Sequence, residues 1–315
     1  MRRLGAVTLD RIPFTSRGGA DNYPLETALW TPEGEVRAVV QILHGMAEHI
    51  ARYDRLARAL CARGYAVAGH DHRGHGQKCP EDKIGYCADQ NGWSKVVGDA
   101  HQETLLLKNR FPGKKLILLG HSMGSFLARE YVLRYGGDIS ALVLSGTGYY
   151  GKALCAAGGF LAKLCPPKKP SKLVDSIAFS ANNKPFKPAR TGFDWLSRDE
   201  KEVDKYVADA RCGFIFTARA FGDFFGGLKD LTKTERLAAI DPALPILIIS
   251  GDNDPVGGMG AGVKSVYDEY KRAGLKHVTM KLYPGARHEI FNETNRDEVT
   301  NDLADWLDGQ CGEAE

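Results

Sequence analysis

A serine between two glycines gives the strongest chemical signal in the sequence. Residues 120–124 read Gly-His-Ser-Met-Gly, directly after the apolar run 115–119 and directly before a helical pattern. A serine in the sharp turn from a strand to a helix is typical of a catalytic nucleophile, because glycines on either side let the backbone turn tightly and expose the hydroxyl. The backbone N–H of Met123 then faces the oxygen that becomes negatively charged. The pattern therefore predicts that Ser122 is a nucleophile, the alternative being a chance glycine-rich turn.

A nucleophilic serine needs a histidine base and an acid that orients the histidine. Where the serine lies in a strand–turn–helix motif, the acid and then the histidine follow it along the chain. Asp252 and Asp254 follow the apolar run 246–250, and His288 follows the run 277–282. We predict that His288 is the base and that Asp254 is the acid, with Asp252 as the alternative.

A second backbone N–H is expected from the loop after the third strand of such a sheet. Residues 44–49, here called the oxyanion loop, read His-Gly-Met-Ala-Glu-His. Gly45 allows a tight turn, and the N–H of Met46 would complete an oxyanion hole with that of Met123. An ordinary loop between a strand and a helix is the other interpretation.

Histidines are concentrated in a second loop, residues 70–76, which reads His-Asp-His-Arg-Gly-His-Gly. Three histidines at this spacing could hold a metal ion together with histidines of the oxyanion loop. However, Gly74 stands where metallo-hydrolases carry the aspartate before the third histidine, and no second carboxylate and histidine motif follows at a useful spacing. We therefore expect no metal, and we expect Asp71 and Arg73 to support the oxyanion loop.

Apolar runs and helical patterns alternate along most of the chain. Predicted strands lie at 25–31, 38–43, 65–69, 115–119, 141–145, 246–250 and 277–282, and predicted helices at 53–63, 93–110, 125–135, 261–273 and 293–307. This alternation is typical of a mostly parallel, doubly wound sheet with helices on both faces. The serine, the acid and the histidine would each lie in a loop that follows a strand.

The alternation stops in the middle of the chain, where Gly, Pro, Lys and Phe are frequent. We predict an α/β core formed by residues 1–146 and 238–315, with an inserted cap, or lid, at 147–237. Within this cap, the stretch 184–190 and Trp195 are expected to be loop.

Two cap segments bear on the substrate. The apolar segment 153–162 is flanked by lysines and could form a lid helix that contacts a lipid surface, although a helix packed on the core is the simpler interpretation. Phe214, Phe221 and Phe225 belong to an aromatic-rich segment that could line an acyl tunnel or could form the core of the cap.

Composition argues against several other classes of protein. The 315 residues include 42 basic and 39 acidic side chains, and without a dense basic block this balance argues against nucleic-acid binding. Seven cysteines without a Cys-x-x-Cys pair predict reduced thiols and a cytoplasmic location. The first ten residues lack an apolar core and no run approaches about 18 apolar residues, so we expect neither a signal peptide nor a membrane-spanning helix.

These motifs together resemble the monoacylglycerol lipase and lysophospholipase branch of the α/β-hydrolases, also called the serine aminopeptidase or Hydrolase-4 group. The resemblance rests on residues 44–49 with Arg52 and Tyr53, on 70–76, on 120–124, and on 251–256 and 285–288. It covers both halves of the predicted core in the right order. Lys78 stands where the family often has a serine, which leaves the contacts of that loop open.

The resemblance implies an α/β-hydrolase fold with Ser122 as the nucleophile and His288 as the base. The acid of the family lies three residues after a glycine, which selects Asp254. The resemblance also implies that Met46 and Met123 donate the two oxyanion N–H groups. The cap carries no comparable match.

The expected function is that of a serine carboxylic-ester hydrolase that cleaves monoacylglycerol-like or lysophospholipid-like esters through an acyl-enzyme on Ser122, without a cofactor. A small-ester carboxylesterase or an acyltransferase could use the same residues. A serine aminopeptidase would need an acidic patch in the cap, for which the carboxylates within 199–204 are candidates, although lysines alternate with them. A non-catalytic binding protein of the same fold is least favoured, because every catalytic role is filled.

Overall fold

The computed structural model describes residues 7–16 and 21–311. Its strands are β1 (Val7–Ser16), β2 (Tyr23–Pro32), β3 (Ala38–Leu43), β4 (Tyr65–His70), β5 (Lys115–His121), β6 (Ala141–Ser145), β7 (Ile246–Gly251) and β8 (Val278–Tyr283). Its α-helices are α1 (Asp54–Cys61), α2 (Gly92–Arg110), α3 (Met123–Tyr135), α4 (Lys152–Lys163), α5 (Lys172–Phe179), α6 (Glu200–Ala208), α7 (Ala218–Leu231), α8 (Ala261–Arg272) and α9 (Arg296–Cys311).

The strands of the described residues form one sheet in the order β1-β2-β4-β3-β5-β6-β7-β8. From β4 to β8 the neighbours are parallel, whereas β1, β2 and β4 pair antiparallel. Every residue of β3, β4, β6 and β7 is buried, as expected for parallel strands covered on both faces. The mostly parallel, doubly wound sheet predicted from the sequence is therefore confirmed.

Helices cover the two faces of the sheet with separate apolar layers. On one face, α1 and α9 contribute residues such as Leu60 and Leu303. On the other, α2, α3 and α8 contribute residues such as Val97, Leu127 and Val266. The sheet is thus held between two layers, and the loops at the ends of its parallel strands remain available for a site.

Strand β1 is absent from the sequence-based prediction. Most of its residues are exposed, and it carries Asp10, Arg11 and Pro13 within ten residues. Charged residues and proline are usual in an edge strand, where they discourage pairing with other chains, but they hide the alternation that predicts a strand. The last helix begins at Arg296, later than predicted, because the buried Glu293 carboxylate accepts from the Thr294 N–H instead of continuing a helical turn.

Helices α4 to α7 lie in the chain between β6 and β7, which are neighbours in the sheet. Ser171, Asp199 and Thr217 accept backbone N–H groups at the starts of α5, α6 and α7, which satisfies donors that a helix leaves free. The paired glycines in α4 do not prevent a helix. A Cβ atom on Gly158 would lie 2.8 Å from the Phe225 ring, so the glycine lets α4 approach α7 closely.

None of the described helices combines the length and hydropathy that crossing a membrane requires. All seven cysteines lie within the described part of the chain, and none forms a disulfide there. Residues 1–6, which belong to the segment expected to lack a signal peptide, lie outside the described residues.

Candidate active site

Ser122 lies at the sharp turn between β5 and α3. Its φ of 52° and ψ of −123° are unusual for a residue other than glycine, and its N–H donates to the Ser145 carbonyl at 2.9 Å. A Cβ on Gly120 would lie 2.2 Å from the Gly124 carbonyl oxygen, and one on Gly124 would lie 2.0 Å from the Leu43 oxygen. Only glycine fits at both positions, so the flanking residues are a requirement of the turn that presents the serine.

His288 is paired with Asp254 in the loops that follow β8 and β7. The Nδ1 atom of His288 lies 2.9 Å from Oδ2 of Asp254, and both side chains are buried. The Ser250 hydroxyl and the Val256 N–H also donate to the Asp254 carboxylate, at 3.1 and 2.8 Å. Asp252, the alternative acid, instead accepts the Gly285 N–H at 2.7 Å. The structure therefore brings Asp254 to the histidine and uses Asp252 to hold a turn.

The surroundings of His288 fix its tautomer and its basicity. Burial lowers the pKa of His288, but the Asp254 carboxylate outweighs burial, and the net pKa is raised above its ordinary value. Because an ionised carboxylate can only accept, Nδ1 carries the proton and Nε2 has a free lone pair. The indole ring of Trp195 lies 5.1 Å from the imidazole, centroid to centroid. Trp195 was expected to be an ordinary loop residue, and no local pattern marks its contact with a residue 93 positions away.

The oxyanion loop lies directly against the serine. A Cβ on Gly45 would be 3.2 Å from the Ser122 Cβ. The Gly45 N–H donates to Glu48 Oε1 at 2.5 Å, whereas the N–H groups of Met46 and Met123 make no hydrogen bond with any described residue. Two unpartnered backbone donors therefore lie on the two segments that flank the nucleophile.

Both the core and the cap hold the oxyanion loop in place. Ala47 has a positive φ of 53°, and its N–H donates to Nε2 of His75 at 3.2 Å. Burial lowers the pKa of His75 to about 4, which keeps the ring neutral and able to accept. From the cap, the Tyr206 hydroxyl and the Gly213 N–H both donate to the Ala47 carbonyl at 2.9 Å.

A buried ionic chain connects the oxyanion loop to the residue beside the histidine. Arg52 donates to Glu48 at 2.6 Å and, through two nitrogens, to both carboxylate oxygens of Glu289 at 2.6 Å. Burial opposes ionisation of Glu48, but Arg52 and then His121 outweigh it and lower its pKa. Arg52 carries part of the family resemblance, but no local pattern reveals this bond, because its partner Glu289 lies 237 positions away.

The histidine-rich loop supports the oxyanion loop, but not entirely as expected. The Asp71 carboxylate accepts the Ile50 N–H at 2.8 Å, just beyond the oxyanion loop. Arg73 supports the oxyanion loop through its backbone: its carbonyl accepts from Nδ1 of His75 at 2.9 Å, the ring whose Nε2 accepts the Ala47 N–H. Its buried guanidinium does not contact this loop and binds Asp99 and Asp21 instead. The His72 N–H donates to Nε2 of His44 at 3.0 Å. His72 and His75 thus form hydrogen bonds with the oxyanion loop, at His44 and at the Ala47 N–H.

A cavity of about 540 Å³ opens above the serine and is closed on its far side by the cap. Ser122 and His288 lie on its wall. Of the three phenylalanines considered for the substrate site, Phe214 and Phe225 line this cavity and Phe221 does not. Phe221 is completely buried within the cap, 5.7 Å from Phe216 between ring centroids, because its side of α7 faces the core.

The polar residues of the cavity wall include carboxylates as well as serine, tyrosine and histidine side chains. Glu48, Asp175 and Glu289 are carboxylates that line the cavity, and burial raises the pKa of Asp175. Among the described residues on this wall there is neither a lysine nor an arginine. The remaining wall is largely apolar and aromatic, and two of the three carboxylates, Glu48 and Glu289, are paired with Arg52, which does not itself line the cavity.

Comparison with known proteins places this site in a family. Residues 34–295 match the family described as "Serine aminopeptidase, S33". The chain belongs to this family. Among curated relatives, the monoacylglycerol lipase of Mycolicibacterium smegmatis is 32% identical over 287 residues, covering 89% of this chain and 91% of that protein. The human monoglyceride lipase is 28% identical over 296 residues, covering 90% and 85%.

Solved structures of the family share the fold. A thermostable carboxyl esterase from Bacillus coagulans, crystallised with glycerol, superposes with a TM-score of 0.88 at 28% identity, covering 98% of this chain and 100% of that chain. The predicted family, the α/β-hydrolase fold and the assignment as a serine ester hydrolase are thereby confirmed.

Proposed function

We propose that this protein hydrolyses monoacylglycerol-like esters, with Ser122 as the nucleophile, His288 as the base and Asp254 as the orienting acid. One observation carries the proposal: Ser122 at the sharp turn and His288, which is paired with the buried Asp254, line the same large apolar cavity. The names of the bacterial and human relatives, both lipases of monoacylglycerols, agree with it.

The proposed chemistry follows from the geometry. His288 Nε2 accepts the Ser122 proton as the hydroxyl oxygen attacks the ester carbonyl. The N–H groups of Met46 and Met123 stabilise the oxyanion. Collapse of this intermediate breaks the ester bond, and His288 returns the proton to the departing alcohol. Water, deprotonated by His288, then attacks the acyl-enzyme. His288 passes this proton to the departing Ser122 oxygen as the fatty acid is released, which restores the free hydroxyl.

The charges of the cavity wall favour a neutral glycerol head group over a phosphate-bearing one. A lysophospholipid phosphate would face Glu48 and Glu289 with no cation on the wall to bind it. Arg52, the nearest guanidinium of the network, is already bonded to both of these carboxylates. Glycerol hydroxyls, in contrast, can donate to carboxylates. Monoacylglycerol is therefore the better fit of the two lipid classes.

An aminopeptidase activity has less support, although the family description names one. The carboxylates considered for holding a substrate amine lie on or beside α6, and none of them lines the cavity. Asp199 is paired with Arg296 at 2.5 Å, and Asp204 with Arg190 at 2.5 Å. These side chains stabilise the cap surface. Of the three carboxylates that line the cavity, Glu48 and Glu289 are already bonded to Arg52, which leaves Asp175 to hold a substrate amine.

We also propose that the cap docks on lipid surfaces through α4 and α5. Five large apolar side chains there are more than half exposed: Leu154, Phe160, Leu164, Leu173 and Ile177. Exposed apolar groups of this size, beside the lysines of segment 152–172, suit an interfacial helix. Leu154 and Ile177 also line the cavity, so the exposed patch continues into the site. A lipid could thus enter without crossing water.

A hydrolysis panel on the purified protein tests the proposed substrate. Long-chain monoacylglycerol, lysophosphatidylcholine, p-nitrophenyl butyrate and a prolyl amide would be compared, with Ser122→Ala as the blank. We expect the highest kcat/KM on monoacylglycerol. A higher value on butyrate would make the protein a small-ester esterase, and a higher value on lysophosphatidylcholine would overturn the argument from wall charge.

A further inference from the structure

Three side chains of metal-binding types meet where the cap contacts the oxyanion loop. His49 is the last residue of the oxyanion loop, and Asp209 and Cys212 lie in the turn that follows α6. His49 Nε2 is 2.7 Å from Asp209 Oδ2, and one ligand atom from each residue lies within 4.8 Å of the other two. We propose that these residues bind a transition-metal dication, with Zn²⁺ as the best fit, at a site separate from the catalytic serine.

The donor set suits this metal. Imidazole nitrogen, carboxylate oxygen and thiolate sulfur are the usual zinc ligands, and three of them leave one position of a tetrahedron for water. Bonds of about 2.0–2.3 Å place tetrahedral ligands roughly 3.3–3.7 Å apart. The contact between His49 and Asp209 would lengthen and Cys212 would move closer, which side-chain rotation can accomplish. The thiol proton of Cys212 would leave to water on binding.

The charge around the cluster also favours a dication. Arg52 is the guanidinium close to Cys212, and it is already bonded to Glu48 and Glu289. With Asp209, three carboxylates therefore face a single buried arginine. Once the Cys212 thiol has lost its proton, three negative charges remain uncompensated, and a dication would offset two of them. The Asp209 side chain is 29% exposed, which gives an ion access from solvent.

Binding would connect the cap to the oxyanion loop at one more point. The Ala47 carbonyl already accepts from Tyr206 and Gly213, which precede and follow the two cap ligands in the chain. His49 lies two residues beyond Ala47. A metal held by all three ligands would fix the loop that carries the Met46 N–H relative to the cap. We expect it to raise the melting temperature by several degrees, because a ligand that binds only the folded state stabilises it.

Cobalt spectroscopy tests the site without relying on catalysis. Metal-free protein would be titrated with Co²⁺, and we expect one equivalent to give tetrahedral ligand-field bands and a thiolate-to-cobalt charge-transfer band, both lost when Zn²⁺ is added. Cys212→Ser should abolish the charge-transfer band, whereas Cys165→Ser, a matched change at another partly buried cap cysteine, should leave it intact. Asp209→Asn, as a second variant, should weaken Co²⁺ binding at least tenfold.

The outcomes separate this proposal from the proposed function. Wild-type protein without a thiolate band, or Cys212→Ser with an unchanged one, would overturn the metal site, provided that circular dichroism shows the variant folded. Ser122→Ala should bind Co²⁺ as the wild type does, so loss of hydrolysis leaves the metal test intact. A metal site that failed would equally leave the serine chemistry untouched.

Discussion

The two walls of the cavity are built on different principles. On the core side, His288, Asp254 and the oxyanion loop are buried and held by short polar contacts. On the cap side, α4 buries only Cys155 and Ala162 and turns most of its apolar side chains toward solvent. A side chain in the core wall is restrained by several hydrogen bonds, whereas α4 is held mainly by apolar packing of one side against α7.

This difference suggests that the core side of the cavity carries out the reaction, whereas the cap side brings the substrate to it. Reacting groups must be held within a fraction of an ångström, so they belong on a preorganised scaffold. A surface that meets a fluid lipid layer needs area more than precision. Changes in the core wall should therefore lower turnover on every ester, whereas changes on the exposed cap surface should lower activity only where substrate is presented in a lipid layer.

The largest effect is expected at Ser122. Ser122→Ala removes the nucleophile, and loss of a serine of this kind typically lowers kcat about 10⁵–10⁶-fold. The loss should be of this size on both monoacylglycerol and p-nitrophenyl butyrate, measured by release of fatty acid or of nitrophenol. Ser140→Ala, at an exposed serine outside the site, is the matched control. Turnover by Ser122→Ala within tenfold of the wild type would show that another group is the nucleophile.

The two aspartates after β7 give the next largest contrast. Asp254→Asn should lower kcat about 10⁴-fold, because the amide favours the wrong tautomer of His288. Asp252→Asn keeps an oxygen to accept the Gly285 N–H and should change kcat by no more than a few fold. Steady-state kinetics on one dissolved ester would measure both. Equal losses would mean that the turn held by Asp252 matters as much as the acid.

The same contrast shows how far the sequence could predict this site. Ser122 and His288 follow from local motifs and chain order, because each belongs to a strand–loop unit with its own sequence pattern. Asp252 and Asp254 both fit such a pattern, so chain order alone leaves the choice open. The family resemblance favours Asp254, and this is the aspartate that contacts His288. The contacts of Trp195 and Arg52 could not be predicted, since they join segments that are distant in the chain.

Fold prediction has the same physical limit. The buried parallel strands have continuous apolar sequences, and β3 and β6 begin and end at the predicted residues. Strand β1 is an exposed edge, so its sequence lacks that signal. In the cap, Phe221 and Phe225 have similar sequence surroundings, yet only Phe225 lines the cavity, because the orientation of α7 depends on packing against the core.

The dependence of activity on pH should give the pKa of His288, which belongs to the core side of the cavity. Only neutral His288 can accept the serine proton, so kcat/KM should fall tenfold per pH unit below the pKa of this histidine. Since the net effect of Asp254 is to raise that pKa, the midpoint should lie above about 6.5, the ordinary value for histidine. Glu289 contributes to the same shift, so Glu289→Gln should move the midpoint to lower pH.

The control for this titration is Glu200→Gln, at an exposed glutamate on α6 that should leave the midpoint unchanged. Both variants and the wild type would be measured on p-nitrophenyl butyrate, so that lipid binding does not enter the profile. An unmoved midpoint in Glu289→Gln would mean that Asp254 alone sets the basicity of the histidine. A wild-type midpoint well below 6.5 would contradict the dominance of the carboxylate over burial.

The smallest effect, and the one that tests the cap wall alone, is expected from Phe160 and Leu164. Both side chains are about two-thirds exposed, and neither lines the cavity. The double variant Phe160→Ser/Leu164→Ser should lower activity on monoacylglycerol in vesicles by up to about tenfold, because partial burial of two such side chains contributes roughly 1–2 kcal/mol to binding. Its kcat/KM on dissolved p-nitrophenyl butyrate should equal that of the wild type.

Leu105→Ser makes a comparable change at an exposed apolar residue of α2 and should affect neither assay. Vesicle sedimentation would show whether the loss in the double variant comes from weaker docking. An equal loss of kcat/KM on the dissolved ester would mean that α4 also holds the catalytic residues of the core wall in place. No loss on vesicles would show that these exposed side chains do not meet the lipid, because a docking surface cannot lose two of its largest apolar groups without losing affinity.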